Sequence, residues 1–101
     1  MKNILADEQL QRAAETLRVV SHPARLRIVE ILVEGERSVT AIQESLGITQ
    51  SQTSQHLSNM RVRGVLKCRK DGNMVYYSIA NPDVVKVIHC IRQGSPAGVS
   101  I

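Results

Sequence analysis

Phenylalanine and tryptophan are absent from this 101-residue chain, and tyrosine occurs twice, side by side at Tyr76 and Tyr77. A core built from these residues is therefore aliphatic and thin, which at this length favours burial against a second copy. No apolar run approaches the roughly 18 residues of a membrane span. The start, "MKNILADEQ", lacks the apolar core of a secretory leader. Both absences point to a cytoplasmic protein. Cysteine occurs only at Cys68 and Cys90, in neither a zinc-ribbon nor a C-x-x-C spacing, so reduced thiols are expected at rest. There is no internal repeat. Nothing resembles paired carboxylates, a phosphate loop or a nucleophile beside an oriented base, so the chain reads as no enzyme.

What is present is basic and unevenly placed. The formal net charge is +4; residues 1–44 hold six Lys/Arg against seven Asp/Glu, and residues 45–101 hold seven against two. Arg61, Arg63, Lys67, Arg69 and Lys70 fall within ten residues that contain no acid. An anionic partner suits this balance.

Apolar spacing predicts a helix over 7–20 (Leu10, Ala13, Ala14, Leu17, Val20), stopped by "SHP", and a second from Pro23 through Leu26, Val29, Leu32 and Val33 to Gly35. A short third helix holds Val39, Ile42 and Leu46 and ends at Gly47. A fourth opens near Gln50, where Thr49 and Gln52 form a capping box, and closes at Gly64. The period then changes: "VLKCRK", "DGN" and "MVYYSIA" read as strand, turn, strand. A last helix follows, with Asn81 as cap, Pro82 in its first turn, and Val84, Val87, Ile88 and Ile91 as its stripe. The expected fold is mainly α with a small β-hairpin, a winged helix-turn-helix ordered α-α-α-α-β-β-α, over residues 1–93, with 94–101 a frayed tail.

The fourth helix, within "TQSQTSQHLSNMRVRG", is the unusual one. At 100° per residue Thr53, Leu57, Met60 and Gly64 share the inner side. Ser51, Gln52, Gln55 and Asn59 point outward, with Ser54 and His56 on the flanks and Arg63 further along. Glutamine pairs bidentately with adenine edges, serine is permissive, and a helix start favours phosphate. A polar face alone usually meets only water. Behind a short helix and before a basic hairpin, it reads as a major-groove recognition helix, with Arg69 and Lys70 at the tip of a wing touching phosphate or the minor groove. The first and last helices have apolar stripes in excess of a small core, so a two-fold dimer and an inverted-repeat operator of double-stranded DNA are expected. The alternative is a winged-helix protein-interaction or architectural module that reads no sequence.

"SHPARLRIVEILVEGERSV", "LGITQSQTSQHLSNMRVRGVL" and "RKDGNMVYYSI" resemble the ArsR-type family of bacterial winged-helix repressors, over about residues 9–93. The resemblance implies a homodimer through the first and last helices, with operator binding by the fourth helix and wing. It also implies release of DNA by an inducer or a modified thiol. On its S-x-x-S-x-H-L pattern Gln50, Ser51, Gln52, Ser54, Gln55 and His56 are the DNA candidates. The family's metal positions depart from pattern: Ser38 and Thr40 stand where a Cys-x-Cys would, Asn81 and Asp83 where an Asp-x-His would, and Gly94 and Ala97 where further ligands would. Neither of the family's familiar metal sites is therefore expected, and no cofactor. The thiol-sensing members join a second-helix to a last-helix cysteine. Cys90 lies near the latter, but the second helix has none, and Cys68 is on the first wing strand. Two ordinary small apolar side chains are one reading; a redox, persulfide or metal role for Cys90, with or without Cys68, is the other. His22 reads as a loop or packing residue.

Overall fold

Pro23 sets the first sharp boundary. In the computed structural model, which describes residues 4–94, helix α1 spans Asp7–Val20 and helix α2 spans Pro23–Val33. His22, held extended before the proline, caps α2: its Nδ1 accepts the Ala24 amide at 3.1 Å. Helix α3, Val39–Leu46, is capped by Ser38, whose hydroxyl accepts the Ala41 amide at 3.1 Å. Gly47 ends α3 in the left-handed conformation, φ +68°, and sends its amide back to the Gln43 carbonyl at 3.0 Å. Helix α4 covers Gln50–Val62, and helix α5 covers Asp83–Gln93.

The expected hairpin is a three-stranded antiparallel sheet instead. Strands β2 (Leu66–Asp71) and β3 (Met74–Ile79) pair from Leu66–Ile79 down to Asp71–Met74. A two-residue strand, β1 (Arg37–Ser38), adds to the outer side of β3, opposite Tyr77 and Tyr76, in the order β1-β3-β2. Two residues carry no period, so β1 is visible only through its partner. The tip is Gly72–Asn73, with Gly72 at φ +62°, a conformation open to glycine at the first central position of a two-residue turn. The last helix starts one residue later than expected, at Asp83, with Pro82 rather than Asn81 in the cap position; the Asn81 side chain, just before it, accepts the Asp83 amide at 3.0 Å. The expected tail lies, apart from Gly94, outside the described residues.

Ile28, Val29, Leu32, Ile42, Leu57, Met60, Val65, Leu66, Tyr77, Val84 and Ile88 form one buried cluster where α2, α3, α4, α5 and the base of the wing meet. The wing is tied to α4 by backbone: the Val65 amide reaches the Met60 carbonyl at 2.9 Å, and the Val65 carbonyl receives the amides of Ala80 and Asn81 at 2.9 and 3.2 Å. On α1 only Val19 and Val20 join the core; Leu10 and Leu17 remain 50% and 51% exposed.

Ile42 lies at the centre of this cluster with no exposed surface. Ile42→Ala is expected to cost about 2–5 kcal/mol, read as a lower urea midpoint with an unchanged slope. A loss under about 1 kcal/mol would mean that α3 is not packed as described.

Candidate nucleic-acid interface

Helix α4 is built from its capping box outward. Thr49 Oγ1 accepts the Gln52 amide at 3.0 Å, and Gln52 Oε1 accepts the Thr49 amide at 3.2 Å. Thr53, Leu57 and Met60 are fully buried; the Thr53 hydroxyl donates to the Thr49 carbonyl at 2.9 Å and so enters the core satisfied. With that face sealed, Gln50, Ser51, Gln52, Ser54, Gln55, Ser58 and Asn59 are left exposed.

These outward residues do not all present the same freedom. Ser51 and Gln55 make no side-chain hydrogen bond within the described residues. Gln50 and Ser54 border a groove of about 380 Å³ between α4 and the wing, shared with Thr40, Ser58, Asn73 and Met74. Ser58 continues the Gln50–Ser54 spacing by one more turn and was legible in the sequence on that ground. Thr40 and Asn73 were not, because folding alone brings α3 and the wing tip to this groove. Gln52 has its carbonyl oxygen engaged in the cap. His56 is half-buried: its Nδ1 accepts from Arg25 Nε at 3.0 Å and its ring lies 4.6 Å from that of His22. Burial first, then the charges of Arg25 and His22, hold the His56 pKa below the ordinary histidine value.

The basic residues divide as well. Lys70 is exposed one strand position before the turn-flanking pair Asp71–Met74. Arg69 sits lower, paired with Tyr76, and is engaged: Nε and Nη2 donate to the two carboxylate oxygens of Glu36 at 2.9 and 2.8 Å. Its guanidinium carbon also lies 4.6 Å from the centre of the Tyr76 ring. Of the two cations expected at the wing tip, Lys70 lies beside the Gly72–Asn73 turn and Arg69 is engaged one position further down the strand. Arg63, at the end of α4, borders a different hollow of about 450 Å³, with Arg12 and Glu15 of α1 and Asp83 of α5, and is not on the wing groove.

Cys68 and Cys90 are both exposed and unlinked, on β2 and α5. Cys68 pairs with Tyr77, whose phenol is pushed up mainly by burial, with Arg61 pulling the other way. Ser38 caps α3, and Asp83 lies 3.8 Å from Lys86. Among the described residues no three His, Cys, Asp or Glu side chains are gathered as metal ligands, and no helix is long and apolar enough to cross a membrane.

A polar, sealed-back helix behind a short α3, followed by a basic two-stranded wing, defines a winged helix-turn-helix. The model of the arsR family of bacterial regulatory proteins matches residues 22–67. The transcriptional repressor PagR of Bacillus anthracis is 44% identical, over 82% of this chain and 84% of its own length. HlyU from Vibrio cholerae superposes with a TM-score of 0.81 at 27% identity, covering 87% of this chain and 96% of that one. The solution structure of the homodimeric winged helix-turn-helix DNA-binding domain Mb0332 from Mycobacterium bovis superposes at 0.72 and 27% identity, covering 91% and 87%. The chain belongs to the ArsR family of bacterial transcriptional regulators: a DNA-binding regulator, not an enzyme.

Hydrogen bonding from Arg69 is the main cause that holds the Glu36 carboxyl below the usual glutamate pKa. A depressed carboxylate stabilises the fold above its unfolded value, and that contribution disappears as pH falls through the folded value. The Glu36 carboxyl resonance should therefore titrate below the ordinary glutamate value, and Arg69→Met should bring it back up. Equal titration in both proteins would remove the clamp.

Proposed function

We propose that two copies of this chain pair through α1 and α5 and set their α4 helices into successive major grooves of an inverted-repeat operator, roughly 34–36 Å apart. Bound there, they repress transcription until an inducer signal releases them. The observation that carries this reading is the exposed amide and hydroxyl face of α4 beside a basic wing. Ser51 and Gln55 read base edges; Gln50, Gln52 and Ser54 work near the helix start, where phosphate is favoured. Lys70 supplies charge beside the wing turn, Arg69 shapes the wing from its place on Glu36, and His56 acts from the flank; Arg63, expected on the same face, lies instead toward α1 and α5. Repression is supported by the likeness to PagR, and pairing by the likeness to the homodimeric Mb0332 domain. The exposed Ile4, Leu5, Leu10 and Leu17, on and before α1, and Ile91 on α5 provide apolar surface for a second copy.

A footprint on the promoter of its own gene tests the reading. A protected inverted repeat, two chains per duplex and an affinity that falls linearly in log–log with salt are expected. Gln55→Ala should cost about 1–3 kcal/mol and relax discrimination at one base position in each half-site. Lys70→Ala should weaken all sequences alike and lower the salt slope by about 1 per subunit. Leu17→Glu should give a monomer that no longer protects the site. Loss of Gln55 without change in either affinity or sequence preference would sink the reading.

The inducer chemistry that this chain itself offers is thiol-directed, through Cys90 on α5 and Cys68 on the wing. Peroxide or a persulfide donor is expected to release the footprinted duplex from the wild type, and Cys90→Ser to abolish that release. Retention of DNA by oxidised wild-type protein would discard the thiol signal and leave the DNA reading intact.

A further inference from the structure

Arg25 is absent from the recognition surface as read from sequence, yet more of that surface converges on it than on any outward residue. Its guanidinium makes three hydrogen bonds that join three elements. Nε donates to His56 Nδ1 at 3.0 Å, and Nη1 donates both to Asn59 Oδ1 and to the Val19 carbonyl, each at 3.0 Å. Val19 is in the last turn of α1, Arg25 in the first turn of α2, and His56 and Asn59 are one turn apart on α4. The His22 ring, fixed by its cap to Ala24, closes the cluster 4.6 Å from that of His56.

The geometry points to Arg25 as a positioning residue for DNA reading, a staple that sets the rotation of α4 about its axis and couples it to the end of α1. This rests on the proposed operator-binding function and adds a residue that does not itself meet the bases. Two acceptors one turn apart on the outer flank of α4 resist rolling of the helix, which core packing of aliphatic side chains resists less, since it is not directional. Rotation decides how Ser51 and Gln55 reach base edges. Because Val19 belongs to the helix proposed to pair the two subunits, a change at that junction reaches α4 through one side chain. A lysine in its place keeps the charge but lacks the planar fork that serves several acceptors at once.

Charged or titratable neighbours of the His56 ring are Arg25 from α2 and His22 from the α1–α2 turn. Nδ1 accepts from Arg25, so the neutral ring holds its proton on Nε2. The staple is intact above the ordinary histidine range and is lost as pH falls through the lowered His56 value.

The test compares wild type, Arg25→Lys and Arg25→Gln on the footprinted duplex and on a scrambled duplex of equal length, at one salt concentration. Nitrogen NMR follows the His56 ring in the absence of DNA. For Arg25→Lys an affinity about tenfold weaker is expected on the operator, with less than a twofold change on the scrambled duplex and an unchanged dimer. For Arg25→Gln the His56 titration should move upward. If an Arg25 variant fails to fold, Asn59→Ala and His56→Leu, singly and together, replace it. Losses that are strongly non-additive support the shared staple, and additive losses overturn it. Operator affinity of Arg25→Lys equal to wild type, or a parallel fall on both duplexes, overturns the inference alone. A wild type that does not prefer the operator overturns the underlying DNA reading, and the inference with it.

Discussion

The interaction on which the rest depends is the sealing of one face of α4. Thr53, Leu57 and Met60 have essentially no exposed surface, and the one hydroxyl among them is satisfied by the Thr49 carbonyl. Burial of about 1.5–3 kcal/mol per large apolar side chain fixes the helix against α3 and the base of the wing. A helix with a mean tendency toward water is thereby held in place without any outward side chain having to hold it. That is why glutamines and serines are left free at the surface of so small a fold.

Rigid placement also depends on which polar groups are engaged and which are not. The basic run at 61–70 looks uniform in sequence, but the structure separates it. Arg69 is absorbed by Glu36 and Tyr76 and stiffens the wing; Arg63 faces α1 and α5; Lys70, near the turn, has no ion-pair partner among the described residues. The same sorting applies on α4, where Gln52 serves the cap and His56 and Asn59 accept from Arg25, while Ser51 and Gln55 make no such bond. For a protein whose partner is a polyanion this matters. A fixed cation shapes the surface, and a free one contributes to affinity and to its salt dependence.

Helices were legible because apolar period, proline, glycine and capping residues all act within a few positions. Thr49 and Gln52 announced the start of α4, Pro23 the start of α2, and Asp71–Gly72–Asn73 the turn of the wing. The outward face of α4 followed from the same arithmetic, and so did the surplus of apolar side chains on α1, where Leu10 and Leu17 stay half exposed. Strand β1 had no such local signature, since two residues become a strand only by pairing with Tyr76 and Tyr77.

The sequence by itself determined the five helices, the two long strands of the wing and which face of the fourth helix is polar, because those properties depend on neighbours within one or two turns. Only the tertiary structure decided which charged and polar side chains are free. Arg25 meets His56 from 31 positions away and Arg69 meets Glu36 from 33. Hydrogen bonds of that range are selected by packing and leave no trace in local spacing.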